Sequence, residues 1–339
     1  MRNPELARIW LTRILIAVAA LSVFVHFGTR VRLDWKAKNY VYQVNGPSDP
    51  EWLYQAFDAL RKPGDALGIL GWAAHVWVRS GLIPATREPT TEYIAGNLGI
   101  DGYYRKRYLQ ALNESRPAFF LQAVGPEQFR FEDRNQNGAL ATIPGLAELV
   151  EKNYVPFVDN GSSGLYVDRA RFNACCRYVQ IDASSNTQLQ GFAFDAVPDA
   201  FQTACELNEF CLGSYNPADK TARSLSFVLP HPRAARGTQL SSTGPSRKSL
   251  LFIPFATGSW LNSGLTIAAK SEAPNGRVSV LRTCSTEVML RAINRFSVCV
   301  LELDALSEDD HWTMSVTDSG DVEGQWVAIG RPVLVDAPL

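Results

Sequence analysis

An apolar run at 14–28 (ILIAVAALSVFVHFG) carries no charge and has Ser22 and His26 as its clearly polar members. Extended back to Ile9, it reaches the roughly 20 residues that a membrane-spanning helix needs. Arg13 lies near one end, where a guanidinium can snorkel to the headgroups, and Trp10 falls at the interface favoured by amphipathic aromatics. The basic start (Arg2, Arg8, Arg13) also suits a signal peptide, but Val25-His26-Phe27-Gly28-Thr29 holds no small-x-small cleavage site. The segment is therefore read as a retained anchor within residues 1–32, ahead of a cleaved signal or a buried soluble helix. Arg30, Arg32, Lys36 and Lys38 follow the run, so charge bias does not fix its orientation.

Beyond the anchor the period changes. Residues 50–60 place apolar side chains at 53, 56, 57 and 60, the spacing of a helix, with Asp49 as its cap. Lys62-Pro63-Gly64-Asp65 signals a turn, and 66–72 is a continuous apolar run that reads as a buried strand. Residues 73–80 predict a short helix closed by Gly81. Helices follow over 103–113 and 143–152, a buried strand over 118–124, and a strand pair at 155–158 and 164–167 around Asn160-Gly161. This order implies a small α/β layer with partly parallel strands.

Residues 171–213 lack a clear period, although 199–210 fits a helix. Pro217, Pro230, Pro232 and Pro245, with Ser and basic residues between them, make 214–248 a linker or long loop apart from 225–229. From 249 onward, short alternating runs at 250–255, 265–269, 277–284, 288–293, 298–303, 312–317 and 326–335 predict seven strands of a sandwich or jelly roll. The expected fold class is α/β plus all-β: an N-terminal transmembrane helix, a small α/β layered domain at 40–170, an irregular segment and Pro/Ser/basic linker at 171–248, and a jelly-roll-like β-sandwich at 249–339.

Composition narrows the function classes. The 339 residues are 46% hydrophobic and 20% charged, which excludes wholesale disorder, a collagen-like fibre and a polytopic membrane protein. With 33 Lys and Arg against 34 Asp and Glu, the net charge is −1, so the chain has no global field with which to grip nucleic acid. Six cysteines in a chain with an export segment suggest disulfides. Cys284 and Cys299 fall at the ends of expected strands and can staple them. Cys205 and Cys211 flank a short acidic segment, and a bond from one of them to Cys175 or Cys176 would tie down the irregular region. Adjacent Cys175 and Cys176 are not expected to bridge each other, because a vicinal bond strains the backbone.

Candidate chemistry is sparse. Asp133-Arg134-Asn135-Gln136-Asn137-Gly138 matches the first half of a calcium loop, with side-chain oxygens from Asp133, Asn135 and Asn137. The twelfth position is Pro144, where a bidentate Glu is needed, so a polar turn is the competing and simpler reading. His26, His75, His231 and His311 are scattered and lack metal-binding spacing; His75 lies on an apolar helix and reads as a core residue. Gly161-Ser162-Ser163-Gly164 is no nucleophile elbow, and Gly64, Gly68 and Gly71 do not form a dinucleotide fingerprint. Trp312 and Trp326 read as core. Trp260, in Gly258-Ser259-Trp260-Leu261-Asn262, sits on an expected loop and, with Asn262, is the candidate sugar-binding platform against a plain packing role. No catalytic constellation and no cofactor motif emerges.

Several segments together carry a resemblance: Lys62 through Trp72 (KPGDALGILGW), Arg79 through Thr86 (RSGLIPAT), Pro117 through Pro126 (PAFFLQAVGP), Phe131-Glu132-Asp133-Arg134, and Pro144 through Tyr154 (PGLAELVEKNY). Over about residues 9–170 the chain resembles the extracytoplasmic C-terminal region of bacterial multi-spanning GT-C membrane glycosyltransferases, related to protein O-mannosyltransferases and aminoarabinose transferases. The resemblance implies polyprenyl-phosphate-linked sugars as the relevant chemistry. It implies no catalytic residue here, because that family's acidic catalytic residues belong to an early extracytoplasmic loop with no counterpart in this sequence. The chain is then either a C-terminal piece of an active transferase or a stand-alone relative without the catalytic bundle. The expectation is a single-pass inner-membrane protein with its soluble part extracytoplasmic. It would act as an accessory module that recognises or positions glycan or lipid-linked sugar beside a polytopic glycosyltransferase. The alternatives are part of an active transferase and a structural envelope protein.

Overall fold

The computed structural model describes residues 51–71, 73–87, 102–123, 140, 143–159, 164–181, 187–194, 196–197, 211–215, 222–230, 248–258, 265–272, 278–284, 296–304, 311–318 and 326–336. All of them fall within one compact unit, Pro50–Leu339. The expected anchor lies outside the described residues. Among the described residues, no helix is long and apolar enough to cross a membrane.

The described residues begin with helix α1 (Glu51–Leu60), strand β1 (Ala66–Gly71), helix α2 (Ala74–Ser80) and the short strand β2 (Ile83–Pro84). Helix α3 (Tyr103–Ser115), strand β3 (Phe119–Ala123), helix α4 (Leu146–Asn153) and the strands β4 (Tyr154–Asp159) and β5 (Gly164–Asp168) complete a mixed sheet in the order β2-β1-β3-β5-β4. β1 runs parallel to β2 and β3, whereas β5 is antiparallel to β3 and β4. The continuous apolar runs of β1 and β3 follow from burial on both faces. On one face Leu70 and Phe120 pack with Tyr108 and Leu112 of α3 and with Leu146 and Val150 of α4. On the other, Leu67, Ile69, Phe119 and Leu121 pack with α1 and α2.

Helix α1 shows its polar side only at Glu51, Gln55 and Asp58. Trp52, Tyr54 and Ala59 are buried as well as the expected 53, 56, 57 and 60, because apolar neighbours surround the helix on more than one side. Helix α2 ends as expected: Gly81 takes a left-handed conformation (φ 67°), and its N–H donates to the Trp77 carbonyl. His75 is a correction. Only Val76, Trp77 and Ser80 of this two-turn helix are buried, and His75 points outward with Val78 and Arg79. Trp77 fixes that rotation by donating its Nε1–H to the Leu67 carbonyl at 2.9 Å.

Helix α5 (Arg169–Cys175) then hands the chain directly to strand β6 (Cys176–Tyr178). Asp168 caps α5 by accepting from the Arg171 N–H. Strands β7 (Thr187–Gln190), β8 (Ala193–Phe194), β9 (Leu212–Gly213) and β10 (Arg223–Val228) follow. Next come β11 (Ser249–Thr257), β12 (Thr266–Glu272), β13 (Val278–Thr283), β14 (Ser297–Leu303), β15 (His311–Asp318), β16 (Val327–Ile329) and β17 (Val333–Val335). These build a five-stranded sheet, β13-β12-β15-β10-β7, and a seven-stranded sheet, β6-β17-β11-β16-β9-β8 with β14 on the free side of β11. The sandwich thus draws β6 to β10 from residues 171–248. The expected helix at 199–210 and the expected strand at 288–293 lie outside the described residues.

The two sandwich sheets enclose a core that includes Leu225, Phe227, Leu251, Ile253, Phe255, Trp312, Met314 and Val316. The opposite face of the seven-stranded sheet is not left to solvent. Its Phe252, Val298, Val333 and Val335 join the same core as α1, α2, α5 and the mixed sheet. The protein is therefore β-rich, with a sandwich backed by an α/β layer.

Candidate functional site

Strand alternation in the five-stranded sheet turns Ile267, Ala269, Leu225, Phe227, Trp312, Met314 and Val316 toward the core. The residues between them point outward, and the registers align these in rows across the sheet. One row runs Leu281, Lys270, Thr313, Val228. The next runs Thr283, Ala268, Ser315, Ser226, and the third Thr266, Thr317, Ser224, Gln190. Strands about 4.8 Å apart and alternate residues about 6.6 Å apart make this a regular grid of small polar side chains.

The grid has a sheltered middle and open ends. Ala268 and Thr313 are 3% and 5% exposed, whereas Leu281 is 59% and Val228 39% exposed. The hydroxyls of Ser224, Ser226, Ser315, Thr266 and Thr317 can each donate and accept, and the Gln190 amide can do both. Ser224 donates its hydroxyl to Gln190 Oε1 at 3.3 Å. Such a face suits a neutral ligand rich in hydroxyl groups, with the apolar ends available to its C–H surface.

Charge gathers at the neighbouring edge. Arg282 Nη2 meets Asp304 Oδ2 at 2.7 Å, and Lys248 Nζ meets Glu302 Oε2 at 2.7 Å. The hydrogen bond that Lys248 donates to Glu302 holds its exposed ammonium above its ordinary range, and the Glu302 charge adds to it. These pairs connect β13 and the start of β11 to β14; Lys270 is the charged member of the three rows, and the register continues the face to a further row of Val278, Glu272 and His311.

The cysteines sort into two groups. Cys284 and Cys299 are bridged, joining the end of β13 to β14. Cys211 is disulfide-bonded too, and Cys205 lies outside the described residues. Cys175 and Cys176 are free and buried, which corrects the expected tie from one of them to the 205–211 region.

Trp260, Asn262, Asp133, Asn135 and Asn137 all lie outside the described residues. Trp312 and Trp326 are buried at 2% and 4% exposure, and Trp312 donates its Nε1–H to the Asp304 carbonyl at 3.1 Å. Among the described residues, no three His, Cys, Asp or Glu side chains converge as metal ligands. The hydroxyl grid was missed from sequence. Its signal was the alternation of Ser and Thr with apolar residues in 223–228 and 311–317, with Thr266 on the strand between them.

No protein-family model and no curated protein matches the chain. Solved structures similar to it include the C-terminal extracellular domain of EmbC from Mycobacterium tuberculosis, at 13% identity and a TM-score of 0.32, covering 56% of this chain and 66% of that one. The C-terminal family 22 carbohydrate-binding module of Xyn10B from Clostridium thermocellum matches at 12% identity and a TM-score of 0.29, covering 49% of this chain and 96% of that one. An arabinose-bound α-L-arabinofuranosidase, MgGH51, matches at 14% identity and a TM-score of 0.25, covering 49% of this chain. The chain spans only 24% of that arabinofuranosidase.

Proposed function

We propose that the chain is a glycan-binding accessory module, anchored through residues 14–28 in the inner membrane with its folded part extracytoplasmic. In this reading it holds glycan or polyprenyl-phosphate-linked sugar for a polytopic glycosyltransferase, which performs the transfer. The observation that carries the binding role is the grid of hydroxyls on the outer face of the five-stranded sheet, open at Leu281 and Val228. Sugar hydroxyls and the grid's Ser, Thr and Gln groups are matched donors and acceptors, so a glycan can replace the water it displaces. The Cys284–Cys299 bridge fits an oxidising compartment and so supports export. The anchor and the glycosyltransferase partner rest on the apolar run and on the sequence resemblance.

The test is binding of neutral oligosaccharides to the full chain in detergent, compared with a Ser315→Trp variant. Ser315 stands in the middle row and is not part of the hydrophobic core, so the indole crowds the grid, and an unchanged melting temperature of the variant checks that the fold is kept. Binding to the parent that is lost in the variant supports the proposal. Equal binding by both places the site elsewhere.

A further inference from the structure

Cys175 and Cys176 form an uncommon pair. They are consecutive, 4% and 5% exposed, and their sulfurs lie 3.1 Å apart without a bond. Both are thiols in a chain whose Cys211, Cys284 and Cys299 are all disulfide-bonded. They also sit where one part of the fold becomes the other. Cys175 ends α5, which packs with the mixed sheet, and Cys176 begins β6, the edge strand that pairs with β17 of the sandwich.

The surroundings distinguish the two sulfurs. Cys175 Sγ is 3.2 Å from the Arg171 carbonyl. Its hydrogen bond with Cys176 holds the Cys175 thiol below its ordinary range, against the opposing effect of burial and with help from the Arg171 charge. The same hydrogen bond, together with burial, pushes the Cys176 thiol up. The Arg171 charge acts on Cys175, so Cys175 is taken as the attacking thiol and Cys176 as the resolving one.

We infer that Cys175 and Cys176 are a reversible dithiol–disulfide site, oxidised by a small-molecule disulfide, that controls the docking of β6 on the sandwich edge. The Cys175 thiolate attacks one sulfur of the small disulfide, and the other sulfur leaves as a thiolate and takes up a proton. Cys176 gives up its proton and attacks the Cys175 sulfur of the mixed disulfide, releasing a second small thiol. Two cysteine thiols are oxidised, one small disulfide is reduced to two thiols, and the protons are conserved. Burial of both sulfurs favours a small reactant over a docked protein.

Closing the ring has a structural consequence. Cys175 is the last helical residue and Cys176 is extended (φ −128°, ψ 159°). A vicinal bridge demands a tighter local turn. The groups that must move are the Cys175 carbonyl, which accepts from the Asp336 N–H at 2.8 Å, and the Cys176 register with Val335. The oxidised form should therefore loosen β6 from β17, and the strain makes the bridge easier to reduce than Cys284–Cys299.

The experiment treats the full chain with cystamine and digests it with trypsin without reduction. Cleavage after Arg171 and Arg177 isolates the peptide FNACCR. The expected product is that peptide two hydrogens lighter, with no cystamine adduct, restored by mild reduction that leaves Cys284–Cys299 intact. Cys176→Ser should instead trap the mixed disulfide on Cys175. Amide exchange at Leu334 and Asp336, whose N–H groups face β6, should quicken about tenfold on oxidation. A peptide that keeps both thiols under excess cystamine overturns the inference. So does a wild-type adduct that never resolves, or oxidation with unchanged exchange at β17.

Discussion

Phe157 of the mixed sheet meets Phe252 of the seven-stranded sandwich sheet edge to face, with ring centroids 5.0 Å apart. Phe157 is 2% exposed and Phe252 0%, so the contact is sealed inside a core that both lobes share. Phe157→Ala should cost about 3–5 kcal/mol, as for other large buried aromatics. The loss should appear in one cooperative transition. Urea unfolding followed by far-ultraviolet circular dichroism and by tryptophan fluorescence should give coincident curves for both proteins. Separate transitions would mean that the lobes fold independently.

Arg171 grips Asp65 with both guanidinium amino groups, Nη2 reaching Oδ1 at 2.8 Å and Nη1 bonding Oδ2. Nη1 also donates to the Leu60 carbonyl at 2.7 Å, at the end of α1. Each side chain is 13% exposed. Removing one partner strands the other, so Asp65→Asn should cost about 3–5 kcal/mol. Because the pair carries a desolvation penalty, the double variant Asp65→Leu with Arg171→Met should cost less than the sum of the singles. A double-mutant cycle in urea checks this, and additive losses would deny the coupling.

The Cys284–Cys299 bridge closes a sequence separation of 15. Cys284→Ser with Cys299→Ser should lower stability by about 3 kcal/mol, the chain-entropy value for a loop of that size. Differential scanning calorimetry of the two proteins measures it. Because the bridge joins β13 to β14 at the edge of the grid, loss of the bridge should also weaken glycan binding.

Tyr154 is 3% exposed and donates its hydroxyl to the Pro117 carbonyl at 2.9 Å. Burial pushes its phenol well above the ordinary 10.0, and the Asp168 carboxylate adds to the effect. The un-ionised form is thus favoured by folding. Its contribution is complete below pH 10.0 and falls as the pH rises beyond it, because the unfolded chain ionises first. Tyr154→Phe should flatten the alkaline limb of a stability–pH profile. An unchanged slope between wild type and variant would remove Tyr154 from that limb.

Legibility in the sequence followed burial. The runs at 66–71 and 118–123 were plain because both faces of β1 and β3 are covered, which requires continuous apolar residues. Gly81 was plain because a left-handed helix end favours glycine. Strands β6 to β9 were not legible: they are two to four residues long and hold their place by pairing with distant partners such as β17 and β16. The outward face of His75 was equally hidden, since a seven-residue helix gives too few positions to fix its rotation. The hydroxyl grid escaped for a further reason. Ser and Thr alternating with apolar residues describe any half-exposed strand, and only the register shows that four strands align them.

Isothermal titration of the full chain with neutral oligosaccharides, alongside Ser315→Trp, tests the central claim most directly. The account predicts saturable binding to the parent, at least about tenfold weaker binding by the variant, and similar melting temperatures for the two proteins. Undiminished binding by a folded Ser315→Trp protein, or no binding of any neutral glycan by the parent, would contradict it.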